Sequence, residues 1–270
     1  MKIPLEDNFN DLLGKAQRGL ALTADQIAAR AHVSLADWQR ASQGEFDEAV
    51  VRRLAPVLGL GTETLVALGR KAWYPADPGS ISGLAMFNTP YGDMAVNSFV
   101  VWDPATKAAV FFDTGAAASG MLRLVTEQGL QVELILLTHS HVDHVAQLAE
   151  VKAATGAAAW IGAGENYPAA QPFTAGREFT VGGLRIGTRA TSGHSPGGIT
   201  YVISGLARPV AVVGDSLFAS SMGGGKVSYA DALRNNREQI LTLPEDTVLC
   251  PGHGPLTTVG EEKRHNPFFT

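Results

Sequence analysis

The segment "VELILLTHSHVDH", residues 132–144, places three histidines and an aspartate directly after a run of β-branched and leucine residues. The apolar run predicts a buried β-strand, so the polar cluster would lie on a loop at one edge of a sheet. Residues two apart in an extended chain point the same way, which lets His139 and His141 share one metal ion. Asp143 and His144, where the chain turns into a helix, would face an adjacent position. Imidazole and carboxylate groups are ligands of zinc and similar divalent ions.

Three further residues, more widely spaced along the chain, have the same local setting. They are His194 in "TSGHSPGG", Asp215 in "VVGDSLF" and His253 in "CPGHGP". Each follows a predicted strand and lies beside glycines, which let the backbone turn sharply and expose the side chain. A single histidine or aspartate in a turn usually only caps or hydrogen-bonds. The complete set, following an H-x-H-x-D-H cluster, predicts a metal site.

The composition describes an ordinary globular protein. The chain has 270 residues, 45% hydrophobic and 17% charged, enough for one large domain or a medium domain with a small one. A net charge of −5 argues against a general attraction to nucleic acid or anionic membranes. We expect a cytoplasmic protein without membrane contact, because the N-terminus lacks an apolar signal region. The single cysteine, Cys250 in "TVLC", excludes an internal disulfide and predicts a buried structural thiol.

Two regions of different character divide the chain. Residues 1–73 are predicted to be helical, and the turn-rich segment "YPADPGSISG", residues 74–83, is predicted to be a linker. From residue 84 to 270, strand-like runs are paired early and alternate with helical runs later. This pattern predicts an α/β domain of layered sheets with helices outside.

The run "LTADQIAARAHVSLADWQRASQGE" resembles the helix-turn-helix of the XRE/Cro-like family. Residues 23–31 would be its first helix and residues 34–42 its recognition helix, with His32 where the family usually has a turn glycine. The resemblance implies DNA contacts by Gln39 and Arg40. Residues 1–75 carry nine basic and nine acidic residues, however, so their charge is 9 − 9 = 0, whereas phosphate contacts by lysine and arginine dominate DNA affinity. A helical module that forms a homodimer or covers the other domain is the alternative.

Five motifs resemble those of the metallo-β-lactamase superfamily over about residues 80–270. They are "FFDTG", "THSHVDH", "GHSPGG", "GDSLF" and "PGHGP", and the closing "PGHGPLTTVGEEKRHNPFF" resembles the glyoxalase II-like branch. The resemblance implies an αββα sandwich that holds two divalent metal ions, zinc in first place, with iron or manganese as alternatives. It assigns the first ion to His139, His141 and His194, the second to Asp143, His144 and His253, and the bridging position to Asp215. An acidic bridging residue argues against a true β-lactamase.

The activity that this resemblance implies is hydrolysis of a thioester or another small ester. Two divalent ions would lower the pKa of a shared water toward about 7 and so supply a nucleophile for the carbonyl. Asp143 would orient this water or accept its proton. The alternatives are an iron-dependent persulfide dioxygenase, a DNA-binding regulator with a metal-binding sensor domain, and a lactonase or phosphodiesterase.

The substrate is expected to be a small molecule, and the sequence says less about its identity. The segment "ASSMGGGKVSYADAL" differs from the segment that usually follows the bridging aspartate in glyoxalase II and in the persulfide dioxygenases, both of which act on glutathione compounds. The chain also ends without the extra helical domain with which glyoxalase II holds glutathione. Both departures argue against glutathione recognition. Lys226, in "GGGKVS", is a candidate contact for a substrate carboxylate or phosphate.

Overall fold

Helices fill the N-terminal quarter of the chain. The structure, a computed structural model, describes residues 2–270. The helices before the first strand are α1 (Phe9–Gly19), α2 (Ala24–Ala31), α3 (Leu35–Ser42), α4 (Glu48–Val57) and α5 (Thr62–Gly69). The predicted caps are present: Thr23 accepts a hydrogen bond from the Gln26 backbone, and Ser34 accepts one from the Asp37 backbone. His32 ends α2 with φ = 52°, a left-handed conformation that glycine adopts most readily.

After the helical region, the described chain forms two mixed sheets with further helices between the strands. The first contains β1 (Leu84–Tyr91), β2 (Met94–Trp102), β3 (Ala108–Phe112), β4 (Gln131–Leu137), β5 (Ala158–Gly162) and β6 (Gln171–Phe173), which lie side by side in this order. The second contains β7 (Glu178–Val181), β8 (Leu184–Ala190), β9 (Ile199–Ser204), β10 (Val210–Gly214), β11 (Val248–Pro251) and β12 (Thr257–Thr258), also in chain order. The helices that follow β1 are α6 (Ser119–Gln128), α7 (Val142–Val145), α8 (Leu148–Thr155), α9 (Tyr229–Asn235) and α10 (Val259–His265).

The main core lies between the two sheets. Phe112 and Leu136 from the first sheet pack in one buried cluster with Tyr201 and Val212 from the second. The opposite faces of both sheets carry separate apolar clusters against helices, as the alternation of side chains along a strand requires. This arrangement confirms the predicted αββα sandwich preceded by a helical region. Cys250 is buried in the central core, as predicted.

Four strand ends meet at one edge of the sandwich. Strands β3 and β4 run parallel in the first sheet, and β10 and β11 run parallel in the second. The residues that follow their carboxyl ends therefore come together from both sheets. The Tyr201 hydroxyl donates a hydrogen bond of 2.7 Å to the Leu137 carbonyl and thereby fixes the end of β4 against the second sheet.

Residues 142–155 are divided into α7 and α8, because the backbone N–H of Gln147 donates to Thr114 Oγ1 instead of continuing the helix. The segment "ISGLAMF" enters β1 at Leu84, and β11 is followed by β12 and α10. Within residues 2–270, no helix is long and apolar enough to cross a membrane.

The N-terminal helices pack against the sandwich through apolar contacts. Their buried cluster includes Met222, Tyr229, Ala232 and Phe268 from the C-terminal third of the chain. Residues 72–81, between the helices and the first strand, form neither helix nor strand. The predicted domain boundaries at 73 and 84 stay a prediction.

Candidate metal centre

Seven histidine and aspartate side chains converge at the edge where the four strands end. They form two groups, and within each group the ligand atoms lie within 4.8 Å of one another. The first group is His139, His141, His194 and Asp215, and the second is Asp143, His144 and His253. The structure thus brings together all seven residues that the sequence predicted to bind metal, in the predicted grouping.

In the first group, three imidazole nitrogens face a common point. His141 Nδ1 lies 2.9 Å from His139 Nε2 and 3.0 Å from His194 Nε2. Asp215 Oδ2 lies 3.3 Å from His194 Nε2. The sharp bend between β4 and α7 places His139 and His141 on the same side of the chain, as the spacing predicted.

In the second group, the Asp143 carboxylate faces the imidazoles of His144 and His253. Asp143 Oδ2 lies 3.3 Å from His253 Nε2 and 3.6 Å from His144 Nε2. Asp215 also reaches this group, because its Oδ1 lies 3.2 Å from His144 Nε2. It is therefore in contact with both groups. A side chain at Gly252 would not fit here, since its Cβ would lie 2.2 Å from Asp215 Oδ1.

The outer nitrogens of three histidines are held by acceptors. His144 Nδ1 lies 2.8 Å from Asp113 Oδ2, His194 Nδ1 lies 3.0 Å from the Gly224 carbonyl, and His253 Nδ1 lies 2.7 Å from the Ala95 carbonyl. A carbonyl or carboxylate oxygen can only accept, so each Nδ1 carries the proton. Each Nε2 then faces the centre, the orientation typical of metal-binding histidines, and offers its lone pair to a metal ion that displaces any proton held there.

The converging lone pairs fit metal ions. His144 Nε2 and Asp215 Oδ1 are fully buried and have no hydrogen-bond partner among residues 2–270. His139 Nε2 and His194 Nε2 also face the centre, at 2.9 and 3.0 Å from His141 Nδ1. Burying unpaired acceptors costs free energy, and a divalent cation would satisfy them. The donor set of imidazoles and carboxylates suits zinc, iron or manganese.

The pKa shifts of the residues at the centre also indicate that it favours positive charge. Burial opposes a positive charge on both His144 and His253, but Asp215 outweighs it and raises the pKa of His144 to about 10 and that of His253 to about 11. Although burial raises the pKa of Asp215, the two histidines hold it well below its usual range. The carboxylates therefore stay ionised and draw positive charge into the site.

The sequence interpretation missed Glu165, which connects two ligand-bearing loops. Its carboxylate accepts hydrogen bonds from the Ser140 backbone at 2.9 Å, from the Ser140 hydroxyl at 2.7 Å and from the Gly197 backbone at 2.7 Å. Ser140 lies between His139 and His141, and Gly197 follows His194 by three residues. Nothing in "AGENYP" indicates this role. The position of Asp113, in "FFDTG", could have been predicted from the sequence. It follows β3, which pairs with β4, and β4 leads into the loop of His139 and His141.

An open cleft of about 500 Å³ leads to the centre. Its floor includes His194, Asp215 and His253, and Lys226 lies on its wall, where the sequence placed a candidate substrate contact. Residues of the N-terminal region line the same cleft: Glu6, Asp7, Lys15, Arg18 and Gly19. Burial raises the pKa of Glu6 to about 7, against the opposing effect of His253.

The remaining predicted site residues and histidines lie outside the centre. Gln39 is exposed on α3, and Arg40 is paired with Asp37 at 2.6 Å and with Glu45 at 3.4 Å. DNA binding by these residues stays a prediction. His265, expected at the surface or in local contacts, stacks on Trp73 with ring centroids 5.3 Å apart.

Comparisons with known proteins agree with this site. Hydroxyacylglutathione hydrolase GloC of Haemophilus influenzae is 29% identical over 199 residues, which are 64% of this chain and 92% of that protein. The probable metallo-hydrolase YqgX of Bacillus subtilis is 29% identical over 67% of this chain and 95% of its own. An uncharacterised protein of Aquifex aeolicus is 32% identical over 66% of this chain and 94% of its own.

Solved structures share the fold. The BLEG-1 B3 metallo-beta-lactamase is 30% identical, with a TM-score of 0.62 over 69% of this chain and 100% of that chain. ETHE1 from Myxococcus xanthus is 25% identical, with a TM-score of 0.60 over 68% of this chain and 83% of that chain. Residues 91–253, which run from the end of β1 to the last of the seven converging residues, match the family described as the metallo-beta-lactamase superfamily. With its two-sheet sandwich and its histidine and aspartate centre, the chain belongs to the metallo-beta-lactamase superfamily.

Proposed function

We propose that this protein is a metal-dependent hydrolase of the glyoxalase II-like type that cleaves a thioester or another small ester. The observation that carries this proposal is the convergence of seven metal-binding side chains on a cleft open to small molecules. The unpaired buried atoms His144 Nε2 and Asp215 Oδ1 support metal binding at this point.

The two groups of side chains would hold two divalent ions. His139, His141 and His194 would bind one ion, Asp143, His144 and His253 the other, and Asp215 would bridge both. When bound, such a pair of ions supplies an acidified water and polarises the substrate carbonyl. Zinc is the first candidate, with iron or manganese as alternatives.

The chain's own contribution is to orient the reactants and to handle the proton. Asp143 is half-buried beside His253, whose side chain lines the cleft. Although burial raises its pKa, the hydrogen bond with His253 and the charge of His144 hold the pKa of Asp143 below its usual value. Asp143 is therefore ionised at neutral pH and is suited to orient a water and accept its proton. The hydrogen bonds of Asp113 and Glu165 hold the surrounding side chains in place.

A thioester is the substrate class that the comparisons favour, because a relative at 29% identity is named hydroxyacylglutathione hydrolase GloC. The test is a substrate screen with protein whose metal content has been measured. We expect hydrolysis of a small thioester, such as S-acetyl-N-acetylcysteamine. The rate is measured from the free thiol that the reaction releases. The matched control is Asp215→Asn, which keeps the size of the side chain but removes the bridging charge. Metal-loaded protein that hydrolyses neither thioesters nor oxygen esters would contradict the proposal.

An iron-dependent persulfide dioxygenase is the second candidate. It is supported by TTHA1623, 25% identical with a TM-score of 0.55, which was solved in a di-iron-bound form. Oxygen consumption with glutathione persulfide distinguishes the two candidates, since hydrolysis consumes no O₂. A lactone and a phosphodiester in the same screen test the two remaining alternatives, which would use the same ligands.

A further inference from the structure

The wall of the metal cleft is built from parts far apart in the sequence. Helix α1 contributes Lys15, Arg18 and Gly19, and the loop of residues 222–228 contributes Gly223 to Lys226. The cleft volume of about 500 Å³ suits a small molecule. The cleft is therefore large enough for a substrate that extends from the centre to this wall.

Helix α1 is attached firmly to the 222–228 loop. Lys15 Nζ donates a hydrogen bond of 2.8 Å to the Met222 carbonyl. Gly19 packs so closely on Tyr229 that a Cβ there would lie 2.2 Å from the ring. Gly225 contacts the same tyrosine from the other side, since its Cβ would lie 2.4 Å from Tyr229 Cα. Tyr229 thus packs against both Gly19, which follows Arg18, and Gly225, which precedes Lys226.

The 222–228 loop is in turn attached to the metal centre. The Gly224 carbonyl lies 3.0 Å from His194 Nδ1. The Gly193 carbonyl accepts hydrogen bonds from the backbones of Val227 and Ser228, at 3.0 and 3.1 Å. Lys226 lies between these two connections, so its position relative to His194 is set by the backbone.

Two positive charges on this wall are uncompensated. The ammonium of Lys15 is paired with the buried carboxylate of Asp7. Arg18 and Lys226, both exposed, form no ion pair with any carboxylate of residues 2–270. Glu6 and Asp215 also line the cleft, but neither is paired with Arg18 or Lys226, so both cations are available to attract an anion.

We propose that Arg18 and Lys226 form an anion subsite of the metal cleft, which selects substrates that carry a carboxylate or a phosphate group at the end away from the reacting carbonyl. This proposal rests on the proposed function for the identity of the reaction. The N-terminal helical region thereby supplies part of the substrate site, and the sandwich alone would lack Arg18. The guanidinium suits a bidentate contact with either oxyanion, and the ammonium acts as a point charge.

The test uses two matched pairs of thioesters with the same acetyl group. S-acetyl-N-acetylcysteine carries a carboxylate that S-acetyl-N-acetylcysteamine lacks, and S-acetyl-4′-phosphopantetheine carries a phosphate that S-acetylpantetheine lacks. The readout is the ratio of kcat/KM within each pair for the full-length, metal-loaded protein. We expect wild type to prefer the anionic member of at least one pair, and Arg18→Gln/Lys226→Gln to lower that ratio by about tenfold. The pair that shows the preference identifies the anion.

The matched control is Arg30→Gln. Arg30 is also exposed in the last turn of an N-terminal helix, but it is absent from the cleft wall. Its variant should keep the wild-type ratio, whereas a role of Arg18 limited to the helix terminus would alter stability without altering selectivity. Metal content is measured for every variant, so that loss of an ion cannot imitate loss of the subsite.

Binding of inert analogues separates this proposal from the proposed function. The S-ethyl thioethers of the same four thiols have no thioester bond to hydrolyse, so calorimetry gives their Kd whatever the reaction is. Selective binding of an anionic thioether without thioester turnover would uphold the subsite and reject the thioesterase. Equal Kd values within both pairs, or a preference that survives in the double variant, would overturn the subsite.

Discussion

His144 Nδ1 lies 2.8 Å from Asp113 Oδ2, and both side chains are buried. The same carboxylate accepts hydrogen bonds from the backbone and hydroxyl of Thr138, at 2.7 and 2.8 Å. Asp113 thus joins the residue before His139 to His144, across the turn that carries the metal-binding cluster. Because this contact occupies Nδ1, the Nε2 of His144 is directed at Asp215.

Replacing Asp113 by asparagine should weaken metal binding. The amide keeps the size of the side chain but offers a single acceptor oxygen for three donors. Removing such an outer partner of a ligand typically costs about 10–100-fold in metal affinity or activity. Metal titration and kcat measure the loss. Asp103→Asn is the control, because Asp103 also accepts from a backbone N–H and a threonine hydroxyl but lies outside the centre. Wild-type affinity in Asp113→Asn would refute the prediction.

Loss of a central ligand should remove both activity and the stabilisation that metal provides. We expect His139→Ala to abolish turnover. An ion present at about 1,000 times its Kd stabilises the folded state by about 4 kcal/mol, so chelation should lower the Tm of wild type but hardly that of the variant. His32→Ala, a change at an exposed histidine outside the centre, should behave like wild type. A chelator effect of equal size in all three proteins would contradict this assignment.

The Glu165 carboxylate should affect turnover through the loops that it connects. Glu165→Gln retains one acceptor oxygen, so one of the contacts to Ser140 and Gly197 is lost. Hydrogen bonds to charged groups contribute about 1.5–3 kcal/mol, and we expect kcat to fall about tenfold or more with little change in KM. Steady-state kinetics check this, with the exposed Glu150→Gln as reference. Identical kcat values for the two variants would show that the contacts are dispensable.

Stability should depend on pH through Glu262, which is fully buried. Its carboxyl group accepts hydrogen bonds from Ser220, Thr257 and Asn266. Burial nevertheless raises its pKa from an ordinary 4.5 to about 8. Between these values the folded protein keeps a proton that the unfolded chain has released. The stabilisation is thus complete below about pH 4.5 and is lost as the pH rises to about 8.

Glu262→Gln should lack this dependence, since its amide can donate to the Thr257 hydroxyl while its oxygen accepts from the other two groups. Urea unfolding of metal-loaded wild type and variant at several pH values measures the difference in the free energy of unfolding. We expect the variant to gain relative to wild type as the pH rises. Parallel curves would mean that Glu262 does not carry the effect. The histidines titrate in both proteins, so their contribution cancels in the difference between the two free energies of unfolding.

We expect the N-terminal helical region to show no strong DNA binding. Arg40 on α3 is occupied by Asp37 and Glu45, and the region has no excess positive charge. A gel-shift series from about 50 to 200 mM salt measures this, because phosphate contacts make affinity fall steeply over that range. A steep dependence that is reduced in Gln39→Ala and Arg40→Ala would reverse this expectation and support a DNA-binding regulator.

The sequence by itself predicted the type of fold and the seven side chains that converge at the candidate metal centre. Apolar runs such as "VELILL" and "PVAVV" predict buried strands locally, and histidine or aspartate directly after such a run can only lie at a strand end. The capping pairs of Thr23 and Ser34 likewise depend on neighbours within three residues. These features were correct because the forces that produce them act over a single turn or strand.

Only the tertiary structure decided what surrounds the centre. Glu165 reaches Ser140 across 25 positions of sequence, and Lys15 reaches Met222 across 207. No local pattern encodes such contacts, because they arise when separate elements bury their apolar faces against each other. The same packing places Arg18 and Lys226 on one wall of the cleft, although each looks like an ordinary exposed cation in the sequence.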